Sequence, residues 1–468
     1  MKTKKSPERD VNLAPWQALA LTNEYRHFAM LCGIAVGKTF TGAHFAIKQI
    51  IERPDLTGLI AANSYDQLSQ ATMRELMFWL DTYEIPYVTD RIPPKEWGNI
   101  KKEFKSYRNI MSVLIGETVA TIFTRVLADG DALRGIEFSW YWLDETRDTP
   151  SNTHDIILSR MRESDYVKGL ITTTTNGEDW CYDRFVKNAA SNDNTFGSMH
   201  VSTRESVSHG IVTQEFLDTL LKSYSPMMVA QEIDALHVNV NTGRAYYAAD
   251  EDHAMERSPW GDLDPDPDRS IVLTCDFNFS PAPLTWEVGQ LSPDGESIHW
   301  FQEFSEVEIS TVDMAARVAS QFGDFFIEVY GDASGEHGTS SNAGVTDFNQ
   351  IAGVFDECGI GYSINTRQSN PRVRDRIENA NRMLKNGAGE RHMTYSRTRC
   401  PLLDKDLRLV GWKQTDGKGK LDSNGDVTRT HASDAVGYAL MKIFPPRRDV
   451  LMPGGNVGSA NRAALKAL

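Results

Sequence analysis

The sequence predicts an α/β fold in two successive domains, and three observations support that prediction. Over the first two hundred residues, short apolar runs typical of strands alternate with amphipathic stretches of helical spacing, the pattern of a mostly parallel sheet. A segment rich in Asp and Pro, residues 261–270, interrupts this pattern as a linker would. After it, three strand-like runs follow in quick succession before strands and helices alternate again.

The N-terminal elements are assigned from periodicity. Residues 27–33 are predicted to form a strand, and residues 38–51 a helix with one apolar face. Residues 57–63 form the next strand, and Ser64 is expected to cap a helix that runs to Leu80. Because strands and helices alternate in this way, most of the strands are expected to be parallel.

The C-terminal elements follow a different order. The runs 270–279, 283–291 and 297–307 are predicted strands, and Ser-Pro-Asp-Gly between the last two is a hairpin signal. A helix over 311–322, a strand, a helix over 345–357 and another strand follow. Antiparallel strands followed by alternating strands and helices are the order of a ribonuclease H-like fold.

Composition limits the classes of protein to consider. The chain has 468 residues, of which 40% are hydrophobic and 24% charged, values ordinary for a globular protein with real cores. No apolar run approaches the roughly 20 residues of a membrane helix, and the N-terminus lacks the apolar stretch of a signal peptide, so a cytoplasmic protein is expected. The five cysteines stand singly, which argues against a disulfide framework and a zinc site.

The net charge of −15 bears on nucleic-acid binding. A protein that simply coats DNA is usually basic, because neutralising phosphates drives that binding. Contact with DNA, if it occurs, is therefore expected to be confined to local basic patches. One such candidate is the run of arginines between Arg367 and Arg382, for which a solvated helix face is the alternative.

A candidate phosphate-binding loop lies between the first predicted strand and helix, where residues 32–39 read C-G-I-A-V-G-K-T. Backbone amides of such a loop, with Gly37 at its end, cradle phosphates at a helix N-terminus. Lys38 is expected to reach the β- and γ-phosphates of ATP, and the Thr39 hydroxyl to bind Mg²⁺. The match is imperfect, since position 32 is Cys and the first glycine is Gly33.

Two acidic residues follow a later apolar strand. Asp144 and Glu145 end the run S-W-Y-W-L-D-E, about a hundred residues after the loop. In a nucleotide hydrolase, Asp144 would hold the Mg²⁺ and Glu145 would activate the attacking water. Adjacent acidic residues also occur simply at helix N-termini, so the order of the two motifs, more than either alone, predicts an ATPase.

These motifs resemble those of the large terminase subunits of tailed bacteriophages, and the resemblance covers nearly the whole chain. Pro15-Trp16-Gln17 is similar to the family's adenine-binding motif, with Gln17 reading the adenine edge. Arg134 resembles the arginine finger that completes a neighbouring subunit's site, and the segment T-T-T-T-N-G resembles the coupling motif, with Asn176 sensing the γ-phosphate.

One position departs from the family pattern. Many terminases carry an arginine inside the phosphate loop, where this chain has Ile34. A positive charge stabilises the charge that develops on the γ-phosphate during transfer. If ATP is hydrolysed, that charge must come from elsewhere, and Arg134 is the candidate.

Three aspartates in the second half form a candidate nuclease site. Asp276 interrupts an apolar strand, Asp332 ends a later one, and Asp434 lies on the C-terminal helix. In a ribonuclease H-like sheet these positions converge, and clustered carboxylates require cations. Two Mg²⁺ or Mn²⁺ ions would then activate water and stabilise the leaving oxygen. His431, one helical turn before Asp434, is either an orienting group or an exposed helix residue.

The resemblance implies a domain organisation. The expected parts are a RecA-like ATPase with a P-loop and a parallel sheet, a short helical linker, a ribonuclease H-like nuclease, and a flexible tail. Their expected bounds are residues 1–204, 205–265, 266–446 and 447–468.

The resemblance also implies a function and its partners. The chain is expected to translocate double-stranded DNA into a procapsid and to cut concatemeric DNA, in the cytoplasm of an infected bacterium. Its partners would be the small terminase subunit, the portal protein and further copies of itself. Those copies would form a ring, of five subunits when docked, whereas the chain would be a monomer in solution.

Two alternatives remain open at this point. The first is a ribonuclease H-like nuclease of the resolvase or transposase type, whose N-terminal domain serves as a nucleotide switch. The second is an assembly protein without enzymatic activity, for which Cys32 and Ile34 in the phosphate loop are the motivation.

Overall fold

The structure is a computed structural model. It describes residues 11–98, 100, 103–128, 130–187, 194–238, 243–261, 265–336, 345–413, 420–422, 426 and 428–446, so the expected tail 447–468 lies outside the described residues. The chain forms two compact units: residues up to 217 together with 230–238, and residues 218–229 together with 243–446. The stretch 205–265, expected as one linker, is divided between these units.

The first unit contains an eight-stranded sheet, and its strand order is β3-β4-β5-β2-β6-β7-β1-β8. In this order, each strand from β5 onward pairs in parallel with the next one, through β2, β6, β7 and β1 to β8. Strands β3, β4 and β5 form an antiparallel edge. The predicted parallel sheet is therefore confirmed. The strands are β1 His27–Cys32, β2 Gly58–Ala62, β3 Tyr87–Thr89, β4 Ile110–Ile115, β5 Thr118–Val126, β6 Trp140–Asp144, β7 Lys168–Thr173 and β8 Phe196–Val201.

Helices connect these strands, and local sequence explains where they begin. Helix α2 buries Phe45, Ile47 and Ile50 against the sheet, as its helical spacing of apolar residues predicts. The Ser64 side chain accepts a hydrogen bond from the backbone of Gln67, which confirms the predicted cap. The helices are α1 Pro15–Thr22, α2 Lys38–Glu52, α3 Tyr65–Gln67, α4 Met73–Thr82, α5 Ser151–Arg160, α6 Trp180–Tyr182, α7 Thr203–Ser208, α8 Gln214–Ser223 and α9 Pro226–Met228.

The second unit contains a six-stranded sheet with the order β13-β12-β9-β10-β11-β14. Strands β9, β10 and β11 are antiparallel neighbours, as predicted, and β12 adds to β9 in parallel. The elements are β9 Ile271–Asp276, β10 Leu284–Leu291, β11 Ile298–Glu306, α10 Thr311–Phe322, β12 Ile327–Gly331, α11 Asp347–Glu357, β13 Tyr362–Ile364, α12 Val373–Leu384, β14 Met393–Tyr395, α13 Pro401–Leu409, β15 Gly411–Trp412, β16 Leu421–Asp422 and α14 His431–Ile443.

Apolar cores lie on both faces of each sheet. In the first unit, Trp142 and Met30 lie on one side and Tyr141 and Leu31 on the other, because successive strand residues point to opposite faces. All five cysteines are free, and four of them are buried. Among the described residues, no helix is both long and apolar enough to span a bilayer.

A buried polar chain crosses the core of the first unit. Arg184 Nη1 donates to His154 Nδ1 (2.6 Å), the opposite nitrogen of His154 contacts the Tyr141 hydroxyl (2.9 Å), and that hydroxyl lies 3.0 Å from His27 Nδ1. Because a guanidinium can only donate, His154 must donate to Tyr141 and Tyr141 to His27. Both imidazoles are therefore neutral, and burial lowers the pKa of His27 to about 4.

The hydrogen-bonded series from Arg184 to His27 predicts that acid destabilises the protein. Because the pKa of His27 falls from 6.5 to about 4 on folding, the unfolded chain binds more protons between these values. The stabilising contribution is complete above that range and is lost as the pH falls through it. His27→Asn keeps an acceptor for Tyr141 but cannot take a proton. We expect it to flatten the pH dependence of the unfolding free energy by up to about 1.4 kcal/mol per pH unit. Urea unfolding of both proteins across this range checks it, and equal slopes would contradict it.

Candidate active sites

Three carbonyl oxygens of the loop between β1 and α2 accept hydrogen bonds from side chains of other elements. The donors and their acceptors are Thr203 Oγ1 to Ile34 O (2.8 Å), Ser206 Oγ to Ala35 O (2.7 Å) and Trp16 Nε1 to Val36 O (3.1 Å). In a trans peptide the amide points away from the carbonyl, so the next three amides face the interior of the loop. Inward amides at a helix N-terminus form an anion-binding concavity.

Gly37 ends the loop in a conformation that favours glycine. Its φ of 80° lies in the left-handed region, and it directly precedes α2. A Cβ atom at this position would lie 2.5 Å from Gln17 Nε2. Gln17 is buried, and its Oε1 accepts from the backbone of Ala14 (2.9 Å). The structure therefore places Gln17 against the loop, and its role in reading adenine stays a prediction.

The Lys38 ammonium lies inside the loop. It donates to the carbonyl oxygens of Gly33 (2.8 Å) and Cys32 (3.3 Å) and to the hydroxyl of Thr174 (3.0 Å). Its distance to Glu145 is 3.9 Å. Lys38 is only 8% exposed, so this buried cation needs all of these partners. Gly33 itself has no space for a side chain, because a Cβ would lie 2.6 Å from Ile233 O.

Three hydroxyl groups surround the Asp144 carboxylate at the end of β6. Thr72 donates to Oδ2 (2.8 Å), Thr172 donates to Oδ1 (2.8 Å), and Thr39 Oγ1 lies 3.4 Å from Oδ2. Burial raises the pKa of Asp144 to about 6, and Glu145 adds to this effect, whereas the hydroxyls and Lys38 oppose it. The Thr39 hydroxyl and the Asp144 carboxylate are hard oxygen ligands that lie next to each other, so they fit a Mg²⁺ ion.

Glu145 begins a tight turn beside this site. Its φ of 51° is left-handed, and it caps the 3₁₀ turn Thr146–Asp148. Asn176 donates to the backbone carbonyl of Arg147 in this turn (2.8 Å), so the proposed sensor contacts the turn that holds the proposed base. Arg134 lies on an exposed turn after the 3₁₀ helix Gly130–Leu133.

In the second unit, Asp276 ends β9 and Asp332 directly follows β12, the strand that is parallel to it. The pairing of Gly331 with Cys275 places the two aspartates side by side in register. Asp276 Oδ2 contacts His431 Nδ1 (2.8 Å) and accepts from Asn278 (2.6 Å). Asp332 Oδ1 accepts from the Asn370 amide (2.6 Å). The orienting role expected for His431 is thus matched by its contact with Asp276.

Asp434 approaches the same edge from α14 but is paired with an arginine. Arg376 Nη2 donates to its Oδ1 (2.5 Å), and the guanidinium lies 4.5 Å from the centre of the Tyr438 ring. Burial raises the pKa of Asp434 to about 7; Arg376 opposes this shift, whereas the nearby Asp276 adds to it. Arg376 is 4% exposed, so it belongs to this site and not to a solvent-facing patch.

The aspartates are suitable donors for hard divalent cations, and they share one environment. The pKa of Tyr438 is raised by burial and, among other charges, by Asp434, Asp332 and Asp276 together. Each of the three carboxylates keeps one oxygen that accepts no hydrogen bond from the described residues. Within the same residues, however, no three His, Cys, Asp or Glu side chains are close enough to hold a metal ion as they stand.

Sequence reasoning missed several contacts. Thr72 had no signal, because a π-helical turn over Leu68–Thr72 directs it to Asp144. Thr172 and Thr174 belong to the noted run of threonines, and β7 lies between β6 and β1, which brings both to the site. The pairing of Arg376 with Asp434 joins two helices that are far apart in sequence, so no local pattern could show it.

Comparison with known proteins shows which family the first half of the chain resembles. Residues 29–251 match the family described as "Terminase large subunit, T4likevirus-type, N-terminal". The resemblance to terminase large subunits that the sequence motifs indicated is therefore confirmed. No curated protein matches the sequence.

Solved large terminases share the fold. The large terminase of a thermophilic bacteriophage superposes with a TM-score of 0.56 at 12% identity, covering 92% of this chain and 99% of that chain. The same protein in complex with ADP gives a TM-score of 0.54 at 13% identity, with the same coverage. In complex with ATP-gamma-S it gives 0.53 at 14% identity, again with that coverage. The predicted terminase-like α/β architecture is thereby confirmed over most of the chain.

The loop geometry predicts a specific effect at Gly37. Gly37→Ala should strain the left-handed backbone by about 1 kcal/mol and displace the Gln17 amide, so we expect at least a tenfold loss of affinity for a fluorescent ADP analogue. Gly116 is a matched control, because its φ of 61° is also left-handed but a Cβ there meets open space. Gly116→Ala should leave the affinity unchanged. Equal affinities of all three proteins would show that the loop does not bind the nucleotide.

Proposed function

We propose that the first unit hydrolyses ATP. The observation that carries the proposal is the convergence of Lys38, Thr39 and Asp144 around one loop, three of whose carbonyl oxygens accept hydrogen bonds from other elements. In this proposal the inward amides, with Gly33 and Gly37, cradle the phosphates, and Lys38 exchanges its carbonyl partners for phosphate oxygens. The large terminase of the thermophilic bacteriophage was solved with ADP and with ATP-gamma-S, which supports nucleotide binding here.

The remaining residues of this site would have distinct roles. Glu145 would accept the proton of the attacking water, a role that its 3.9 Å separation from Lys38 supports. Thr39 and Asp144 would hold Mg²⁺, which neutralises charge on the phosphates when it is bound. Gln17 would contact the adenine. Arg134, on its exposed turn, would complete a neighbouring subunit's site, and Asn176 would transmit loss of the γ-phosphate to the Glu145 turn.

The second unit is proposed to cut DNA. Asp276, Asp332 and Asp434 would hold Mg²⁺ or Mn²⁺, two ions in all, and such ions activate water and stabilise the leaving oxygen when they are bound. His431 orients Asp276 through the 2.8 Å contact. Since Arg376 occupies one oxygen of Asp434, only the other oxygen is open to a ligand without rearrangement.

Together the activities would make the chain a DNA-packaging motor, as its similarity to the terminase large subunits suggests. We infer that the protein moves double-stranded DNA into a procapsid and cuts the concatemer, in the cytoplasm of the infected host. It would act with the small terminase subunit and the portal protein, as a ring of copies with Arg134 supplied in trans.

Paired assays on the purified chain test the two activities separately. Lys38→Ala should lower ATP hydrolysis by at least a hundredfold, because no other described cation lies inside the loop, and should leave plasmid nicking with Mn²⁺ unchanged. Asp276→Asn should do the reverse, because it removes a carboxylate from the metal-binding edge.

Each variant is the control for the other. Loss of both activities in either variant would point to misfolding, which a melting curve detects. A wild-type chain that neither hydrolyses ATP nor nicks DNA would refute the proposal. Nicking that survives Asp276→Asn would refute its nuclease half alone.

A further inference from the structure

A short segment of the first unit, residues 230–238, lies across the proposed nucleotide site. In the sequence, the residues before it, 218–229, and the described residues after it, 243–446, belong to the second unit. The chain therefore enters the first unit here only briefly. This segment will be called the strap.

The strap contacts both sides of the site through its backbone. Ile34 in the phosphate loop donates to Glu232 O (2.8 Å), and Ile233 O excludes any side chain at Gly33. On the other side, Thr175 Oγ1 donates to Gln231 O (3.1 Å) and Leu236 O (3.0 Å). Because these contacts join the loop to the segment after β7, movement of the strap must affect both.

The Glu232 side chain adds a third contact, to Arg147. Arg147 Nη1 donates to Glu232 Oε1 (2.8 Å), and Glu232 is only 5% exposed. Arg147 is 28% exposed, so the pair is buried mainly on the carboxylate side, where Gln231 Nε2 also donates to Glu232 Oε1 (3.1 Å). Removing one charge leaves the other without its ionic partner, which is costly for a group that is out of water. Arg147 lies in the turn that Glu145 caps, so the pair fixes the turn that carries the proposed base.

We propose that Glu232 and Arg147 are positioning residues for ATP hydrolysis, which hold the Glu145 turn against the phosphate loop. Neither needs to touch ATP: Glu232 acts on Glu145 through Arg147, and on the loop through its own carbonyl. Hydrolysis then depends on the strap being seated, since displacement of Glu232 releases the turn and the loop together. The inference rests on the proposed ATPase activity and deepens it.

The proposal predicts that kcat and nucleotide affinity respond differently. Glu232→Gln removes the charge but keeps the backbone contact to Ile34. It should therefore lower kcat by about tenfold to a hundredfold, as misplacement of a catalytic group does, while KM and ADP affinity change less than threefold. Arg147→Gln should have the same effect. The double variant should be no worse than either single variant, because each of the three proteins lacks the same Glu232–Arg147 ion pair.

A second ion pair of the strap provides the matched control. Arg204 Nε donates to Asp234 (2.6 Å), but this pair is largely exposed, so its loss should leave the strap seated through its backbone contacts with Ile34 and Thr175. Arg204→Gln and Asp234→Asn should leave kcat within twofold. An equal loss of kcat in these controls would overturn the proposal, as would unchanged turnover in Glu232→Gln.

Hydrogen exchange separates this inference from the proposed function. In Glu232→Gln the amides of residues 146–148 should exchange faster than in the wild type, whether or not ATP is turned over. Unchanged exchange there would overturn the positioning role. Faster exchange in a chain whose wild type does not hydrolyse ATP would refute the ATPase proposal and leave the structural link intact. A melting temperature within a few degrees of the wild type shows that the variant is folded.

Discussion

The first unit depends on a single buried carboxylate. Asp144 is fully buried at the end of β6, where an unpaired charge would destabilise the fold. Hydroxyl groups from Thr72 and Thr172 satisfy it, and each comes from a different element. Satisfying Asp144 therefore fixes the helical turn before α4 and the end of β7 relative to β6. The Thr39 hydroxyl, at the end of the phosphate loop, lies beside the same carboxylate.

The parallel topology brings these elements together. The carboxyl ends of β1, β7 and β6 lie in that order along one edge, so the loop, the threonine run and Asp144 become neighbours. This convergence was predictable in outline, because alternating strands and helices predict a parallel sheet. The motif at residues 37–39 and the pair Asp144-Glu145 were also readable, since the first follows a strand after one short loop and the second stands at the end of a strand.

What the sequence did not show depends on contacts between distant segments. The strap residues 230–238 carry no motif, and their importance follows only from carbonyl oxygens that meet Ile34 and Thr175. The division of residues 205–265 between two units was equally hidden, because helical periodicity indicates a helix but not the core against which it packs. In the second unit, strand order placed Asp276 beside Asp332, whereas the partner of Asp434 required the packing of α12 on α14.

The small residue Gly437 makes that packing possible. A Cβ atom there would lie 2.5 Å from Arg376 Cγ, so the aliphatic stem of the arginine crosses α14 where the helix has no side chain. From there the guanidinium donates to Asp434. A methyl group at position 437 would thus displace a cation from the acidic edge without altering any charge in the chain. The lack of a side chain at Gly437 therefore determines whether an incoming metal ion would lie beside the positive charge of Arg376.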